Sequence, residues 1–244
     1  MALSATSLKQ AYDAVVERGW SSLTLTDIAE ATGMTLANLR GQLSSKYDLI
    51  ADLNRHIDAE VLADVGSVDL NDPPRDRLFE VMMARFDALA PFKDALGAMA
   101  MAARSDLQLA ALTRRSIERS MGWMLEAAGL SSGGWKGMFR RNGLALVYFR
   151  TSLVWLKDDS EDLAATMKSM DRALGDAERW ANSVENASFG EGFSRAREQF
   201  RGMADRARAA APGGFRFRGN DDDPAPETPD TGDIIDATPD QPQP

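Results

Sequence analysis

Apolar positions along this chain recur at intervals of three and four, and glycine, proline and short polar clusters separate the stretches that carry them. That spacing predicts amphipathic helices, and no stretch alternates with the period of two that a half-buried strand requires. A first helix is predicted over 6–18, with Leu8, Ala11, Tyr12, Val15 and Val16 on its buried side and Gly19 as its stop. Trp20 is expected to pack against the pair of short helices beyond it. Thr24 and Asp27 stand at capping-box spacing, and Leu25, Ile28 and Ala29 give the first of that pair one buried side. Gly33 supplies the positive φ of a tight turn. Thr35 caps a second short helix, with Leu36, Leu39 and Leu43 expected inside and Ala37, Asn38, Arg40, Gly41 and Gln42 outside. Ser45 and Asp48 repeat the capping-box spacing at the head of a longer helix that runs through Leu49, Leu53, Ile57 and Val61 to about Val65. Such a helix-turn-helix is built to place its second short helix in a DNA major groove.

Beyond this head, Pro73 and Pro74 mark 66–75 as a connector, since proline breaks a helix interior. Further helices are predicted over 76–90, 92–103, 106–129, 135–157 and 160–184, so the fold class is all-α. The expected organisation is a head with its linking helix over 1–65 and a helical body over 76–185. A basic amphipathic helix over 189–212 and an acidic tail over 219–244 complete it.

The run Ile28-Ala29, Gly33-Met34-Thr35, Leu39, Ser45-Lys46 and Asp48-Leu49 resembles the DNA-binding domain of TetR-type bacterial regulators. In that family the second short helix reads bases and a lysine opening the next helix holds a phosphate. The resemblance implies that Thr26, Thr35, Asn38, Arg40, Gln42 and Lys46 face double-stranded DNA at a palindromic operator, Lys46 on a phosphate. Two positions depart from the family pattern, Arg40 and Leu43, each of which is usually aromatic. A TetR-like fold further implies an effector pocket in the body and a homodimer through its last two helices. A second run, over 155–162 with Thr166 and then 170–174, is similar to the C-terminal signature of the TetR-like lipid-binding accessory proteins of ubiquinone biosynthesis. Those relatives carry a membrane-facing helix after the body.

Composition narrows the chemistry. A chain of 244 residues with 44% hydrophobic content can bury a large core. It has no cysteine and one histidine, His56, which leaves no thiolate metal site and little for acid–base catalysis; no cofactor, metal or catalytic residue is assigned. The absence of disulfides and of a signal-like start at 1–10 points to the cytoplasm. Net charge is −9, but eight acids and no base lie beyond Gly219, so the body is nearly neutral. Residues 1–60 hold five basic and eight acidic side chains, fewer cations than phosphate binding usually demands.

Seven of the twelve methionines fall between Met82 and Met138. Methionine adapts to irregular space. Met82, Met83, Phe86, Met99, Met121, Met124 and Phe139 are therefore either a loosely specified core or the wall of an apolar effector pocket. The TetR resemblance implies the pocket. Leu153, Trp155 and Met170 are expected at the dimer interface. Over 189–218, seven arginines against three acids accompany an apolar stripe through Phe193, Phe200 and Met203. That stripe suits packing on the body, or peripheral contact with an anionic membrane. Two functions remain in competition: a DNA-binding regulator that answers to an apolar effector, and a lipid-binding accessory protein that has kept the fold without the DNA.

Overall fold

The computed structural model describes residues 3–66 and 68–185, together with Glu198, Arg201 and Gly202. The expectations for the amphipathic stripe and the acidic tail otherwise lie outside the described residues. The head comprises α1 (Ala5–Arg18), α2 (Leu25–Thr32) and α3 (Leu36–Arg40). The helix α4 (Asp48–Asp64) leads into a body of α5 (Pro74–Leu89), α6 (Lys93–Ala102), α7 (Leu107–Ala127), α8 (Gly134–Trp155) and α9 (Ala164–Glu185). A 3-10 turn, Ala90–Phe92, joins α5 to α6. No strand occurs among the described residues.

Local chemistry sets most of the boundaries. Ser4 caps α1 by accepting from the Ser7 amide, and Thr24 and Asp27 close a complete capping box on α2. α5 begins at Pro74, two residues before the predicted start, because proline is favourable in a first turn where its missing N–H costs nothing. Ser45 and Asp48 form half a box: Asp48 Oδ2 accepts from the amides of Ser44 and Ser45 at 2.6 and 3.1 Å, while Tyr47 occupies the cap position. Gly137, in the first turn of α8, has no room for a side chain, since a Cβ there would lie 2.2 Å from the Ser132 backbone.

One continuous core runs through head and body. α4 belongs to both: Leu49 and Leu53 are buried at its head end, Ile57 and Val61 at its body end. Tyr12 of α1 donates its hydroxyl to Leu49 O at 3.1 Å and meets Phe92 edge-on at 5.3 Å. Burial, and then the nearby Asp52 carboxylate, push the Tyr12 hydroxyl far above its ordinary pKa. α7 packs on both α4 and α8, and α8 lies along α9.

Two apolar residues depart from the predicted buried sets. Val16 is 50% exposed because it borders an open groove between α1 and α6. Leu36 is 53% exposed. A five-residue helix has little surface to bury, and Leu39 takes it, followed by Leu43 in the connection to α4.

The turn from α8 to α9 is organised by Asp158. Asp158 Oδ1 accepts from the Ser160 hydroxyl at 2.5 Å, and Oδ2 from the hydroxyl and amide of Thr166 at 2.7 and 2.8 Å. These bonds, the Ser160 and Thr166 hydroxyls first, hold its carboxyl well below the usual carboxylate range. A lowered folded-state value means that the turn has its full stability above the unfolded value of about 3.9 and loses it as pH falls below that toward the folded value. Acid unfolding followed by circular dichroism should therefore show a contribution below about pH 4 that Asp158→Asn removes. Identical acid limbs for the two proteins would contradict this role.

Candidate functional site

The α2–turn–α3 unit is assembled from backbone constraints. Gly33 adopts φ +66°, and the Met34 amide closes on Ala29 O at 2.9 Å. A Cβ at Gly33 would meet nothing within 4 Å, so the dihedral and not space calls for glycine. Thr35 accepts from the Asn38 amide at 3.2 Å and so starts α3. Leu39 is the buried residue of α3, and Thr35, Ala37, Asn38 and Arg40 are exposed. Thr26 is exposed on α2, and Gln42 is half-buried beside Met34, its Nε2 3.7 Å from the sulfur. The predicted DNA-facing residues other than Lys46 thus lie at or near the surface around α3.

Lys46 is turned inward. Its ammonium donates to Trp20 O at 2.7 Å and Leu23 O at 3.1 Å, and sits 5.2 Å from the centroid of the Trp20 ring. Two of its three N–H groups are thereby committed, and the residue is half-buried. The bend between α1 and α2 leaves those two carbonyls outside any helix, and the ammonium satisfies both.

Trp20 leads to a junction that sequence reasoning missed. Its Nε1 donates to Asp106 Oδ2 at 3.2 Å, and the Tyr47 hydroxyl donates to the same oxygen at 2.9 Å. Asp106 Oδ1 meanwhile caps α7 by accepting from the Leu109 amide at 2.9 Å. Burial pushes the Asp106 carboxyl up, but the bonds from Leu109, Tyr47 and Trp20 outweigh it and hold the group below its ordinary value. The bond to Asp106 in turn raises Tyr47. The cap itself was legible in the polar residue before a helical pattern. Its two partners, 86 and 59 residues away, were not.

In the body, Met82, Phe86, Met99, Met121 and Met124 are buried in the common core, with Met83 packed against it. Phe139 is not among them. It is half-buried and meets Trp135 edge-on at 6.0 Å. Two pockets among the described residues are lined by other side chains. One is a cavity of about 10 Å³ beside Val147 and Ala173; the other, about 280 Å³, is the groove bordered by Tyr12, Val16, Glu17 and Asp94. The methionine cluster is closed core in this conformation. At its edge lies a buried charge: Arg85, with no exposed surface, donates to Asp58 Oδ1 at 2.5 Å and Asn54 Oδ1 at 2.6 Å, and the Ser120 hydroxyl also bonds Asp58.

Two of the three expected interface residues are interior to the protomer. Trp155 packs on Phe86 at 5.4 Å and is 2% exposed, and Met170 is fully buried. α8 and α9 use these side chains to bury each other and α5, so they are not available to a partner. Leu153 is half-buried, and Met138, Phe149 and Met167 of the same two helices are exposed.

The same arrangement of helices occurs in known structures. A TetR transcriptional regulator from Nitrosomonas europaea ATCC 19718 superposes with a TM-score of 0.57 at 22% identity, covering 71% of this chain and 96% of that one. The fold is TetR-like. A TetR transcriptional regulator from Rhodococcus sp. RHA1 agrees, with a TM-score of 0.52 at 16% identity over 70% and 93% of the two chains. In sequence, residues 113–181 match the COQ9 family, a stretch that takes in most of α7, all of α8 and most of α9, including the Asp158 turn. No curated protein matches the chain. Both resemblances drawn from the sequence are thus recovered, one across the TetR-like fold and one over residues 113–181. Among the described residues no helix is long and apolar enough to cross a membrane, and no group of side chains is arranged to hold a metal.

The TetR-like head is tied to its body by the Asp106 junction. Asp106→Ala should lower the denaturation midpoint through loss of the cap, worth about 1 kcal/mol, and of the acceptor shared by Trp20 and Tyr47. Asp106→Asn, which can still cap, should cost less. Equal losses for the two variants would show that the cap does not matter.

Proposed function

We propose that the chain is a TetR-type DNA-binding regulator whose body takes an apolar, lipid-like effector. The observation that carries this reading is the presentation of α3. A capped, positive-φ turn holds a very short helix by one buried leucine and leaves Thr35, Asn38 and Arg40 facing outward. Two such heads in a cytoplasmic homodimer would meet the half-sites of a palindromic operator. Met138, Phe149, Leu153 and Met167 are the outward apolar residues from which a two-fold contact through α8 and α9 can be built. The effector resets the heads by binding better to the arrangement that does not fit DNA. The reading assigns the chain no catalytic step.

The charges predict an unusual salt dependence. If Arg40 is the one phosphate contact of each head, a dimer neutralises about two phosphates, for a log–log slope of about −1.8. Release of Lys46 from its carbonyls would roughly double that slope. Binding of the purified protein to a random duplex library, followed at several salt concentrations, tests both points. Arg40→Ala should flatten the slope by about 0.9 per head. Lys46→Ala should lower thermal stability, and it should flatten the slope by about 0.9 per head where Lys46 leaves its carbonyls for a phosphate. The absence of any sequence preference at low salt, with and without lipid extract, would refute DNA recognition.

Leu153→Glu should convert the dimer to monomers in sedimentation velocity while leaving the helical signal intact. A wild-type protein that sediments as a monomer at micromolar concentration would remove the dimer from the proposal.

The COQ9 match over 113–181 favours a second reading, a TetR-fold lipid-binding accessory protein without DNA. It predicts salt-sensitive binding to anionic vesicles that disappears when residues 189–218 are deleted.

A further inference from the structure

Arg85 has three kinds of donor and uses two. Nη1 and Nη2 are committed to Asp58 and Asn54 of α4, while Nε has no acceptor among the described residues. The hydroxyl of Thr151 is equally buried and equally without a partner. Both belong to one neighbourhood. The Arg85 guanidinium carbon lies 5.3 Å from the centroid of the Tyr148 ring. Tyr148, Thr151 and Trp155 stand at helical spacings of three and four and share a face of α8. Phe86, next to Arg85, rests on the first and last of them at 5.5 and 5.4 Å, which places Thr151 opposite it. Met82 stands one turn before Phe86 on α5, also fully buried.

Buried donors are rarely left unmade, because an unsatisfied one forfeits its hydration with nothing in return. Here two of them sit beside methionine and aromatic side chains that can be displaced without breaking a hydrogen bond. The geometry points to a binding site for a carboxylate amphiphile. Its head group accepts from Arg85 Nε and Thr151 Oγ1, and its chain replaces Phe86 and Met82 in the space between α5 and α8. A carboxylate suits the pair better than a neutral head, since its bond to a guanidinium is charge-assisted. This rests on the reading that the body takes an apolar effector and specifies that ligand's polar end.

The site also supplies a route to the head. Asp58 lies on α4, the helix continuous with the head core, so a carboxylate on Arg85 Nε joins the same guanidinium that holds α4 through Nη1 and Nη2.

Calorimetric titration of the full chain with dodecanoate and with methyl dodecanoate, each below its micellar concentration, tests the site. Dodecanoate should bind at least tenfold more tightly than the ester. Thr151→Val keeps the shape and removes the hydroxyl. It should leave the unliganded melting temperature unchanged or higher, yet weaken dodecanoate at least threefold. Arg85→Lys keeps a cation for Asp58 without the Nε donor and should narrow the gap between acid and ester. Equal affinity for the two compounds, or unchanged dodecanoate affinity in Thr151→Val, would overturn the carboxylate site and leave the apolar effector standing. If neither compound binds, both fall together.

Discussion

Arg85 places a guanidinium where none of its surface meets water, and the arrangement of four helices follows from making that tolerable. An isolated buried cation is prohibitively costly, and a paired one is acceptable when its partner is itself well satisfied. Asp58 and Asn54 come from α4, the Ser120 hydroxyl that supports Asp58 comes from α7, and the Tyr148 ring covering the guanidinium comes from α8. A shift of any of these elements would leave a charge unpaired. Apolar packing gives the body its cohesion, but it would accept many registers. The Arg85 cluster accepts few, and it specifies the position of α4 relative to the body.

The position of α4 decides what the head can do. Its N-terminal half is core to α1 and its C-terminal half is core to the body, so α4 is a rod shared by both halves of the TetR-like architecture, beside the contacts at Asp106 and Phe92. The regulator and lipid-carrier readings differ only in what lies at each end of that rod. The fold likeness to two TetR regulators, over 71% and 70% of the chain, and the COQ9 sequence match over 113–181 do not conflict. A body able to receive a lipid-like molecule serves either function. The outward face of α3 is what distinguishes them.

Elements governed by short-range chemistry were legible in the sequence. The Thr24–Asp27 box, the positive φ of Gly33 and the cap at Thr35 each depend on residues within a few positions, and each was found where expected. What stayed hidden depends on partners far along the chain. Nothing near Lys46 announces that Trp20 and Leu23 would offer it carbonyls. Trp155 and Met170 read as interface because they are large and apolar, yet α5 and the α8–α9 contact consume them. The neighbours of Arg85 in sequence, on a helix rich in methionine and phenylalanine, do not announce a buried cation. Its burial became visible only once α4 supplied Asp58, 27 residues earlier.

The Asp106 carboxylate is at once the cap of α7 and the acceptor for two head aromatics. A swing of the head that withdraws Trp20 and Tyr47 takes away the bonds that orient that carboxylate, so head rotation and fraying of the first turn of α7 become motions along one coordinate. Amide exchange at Leu109 would then report the angle of a domain it does not belong to. The body helix carries at its own first turn a gauge of where the head is pointing.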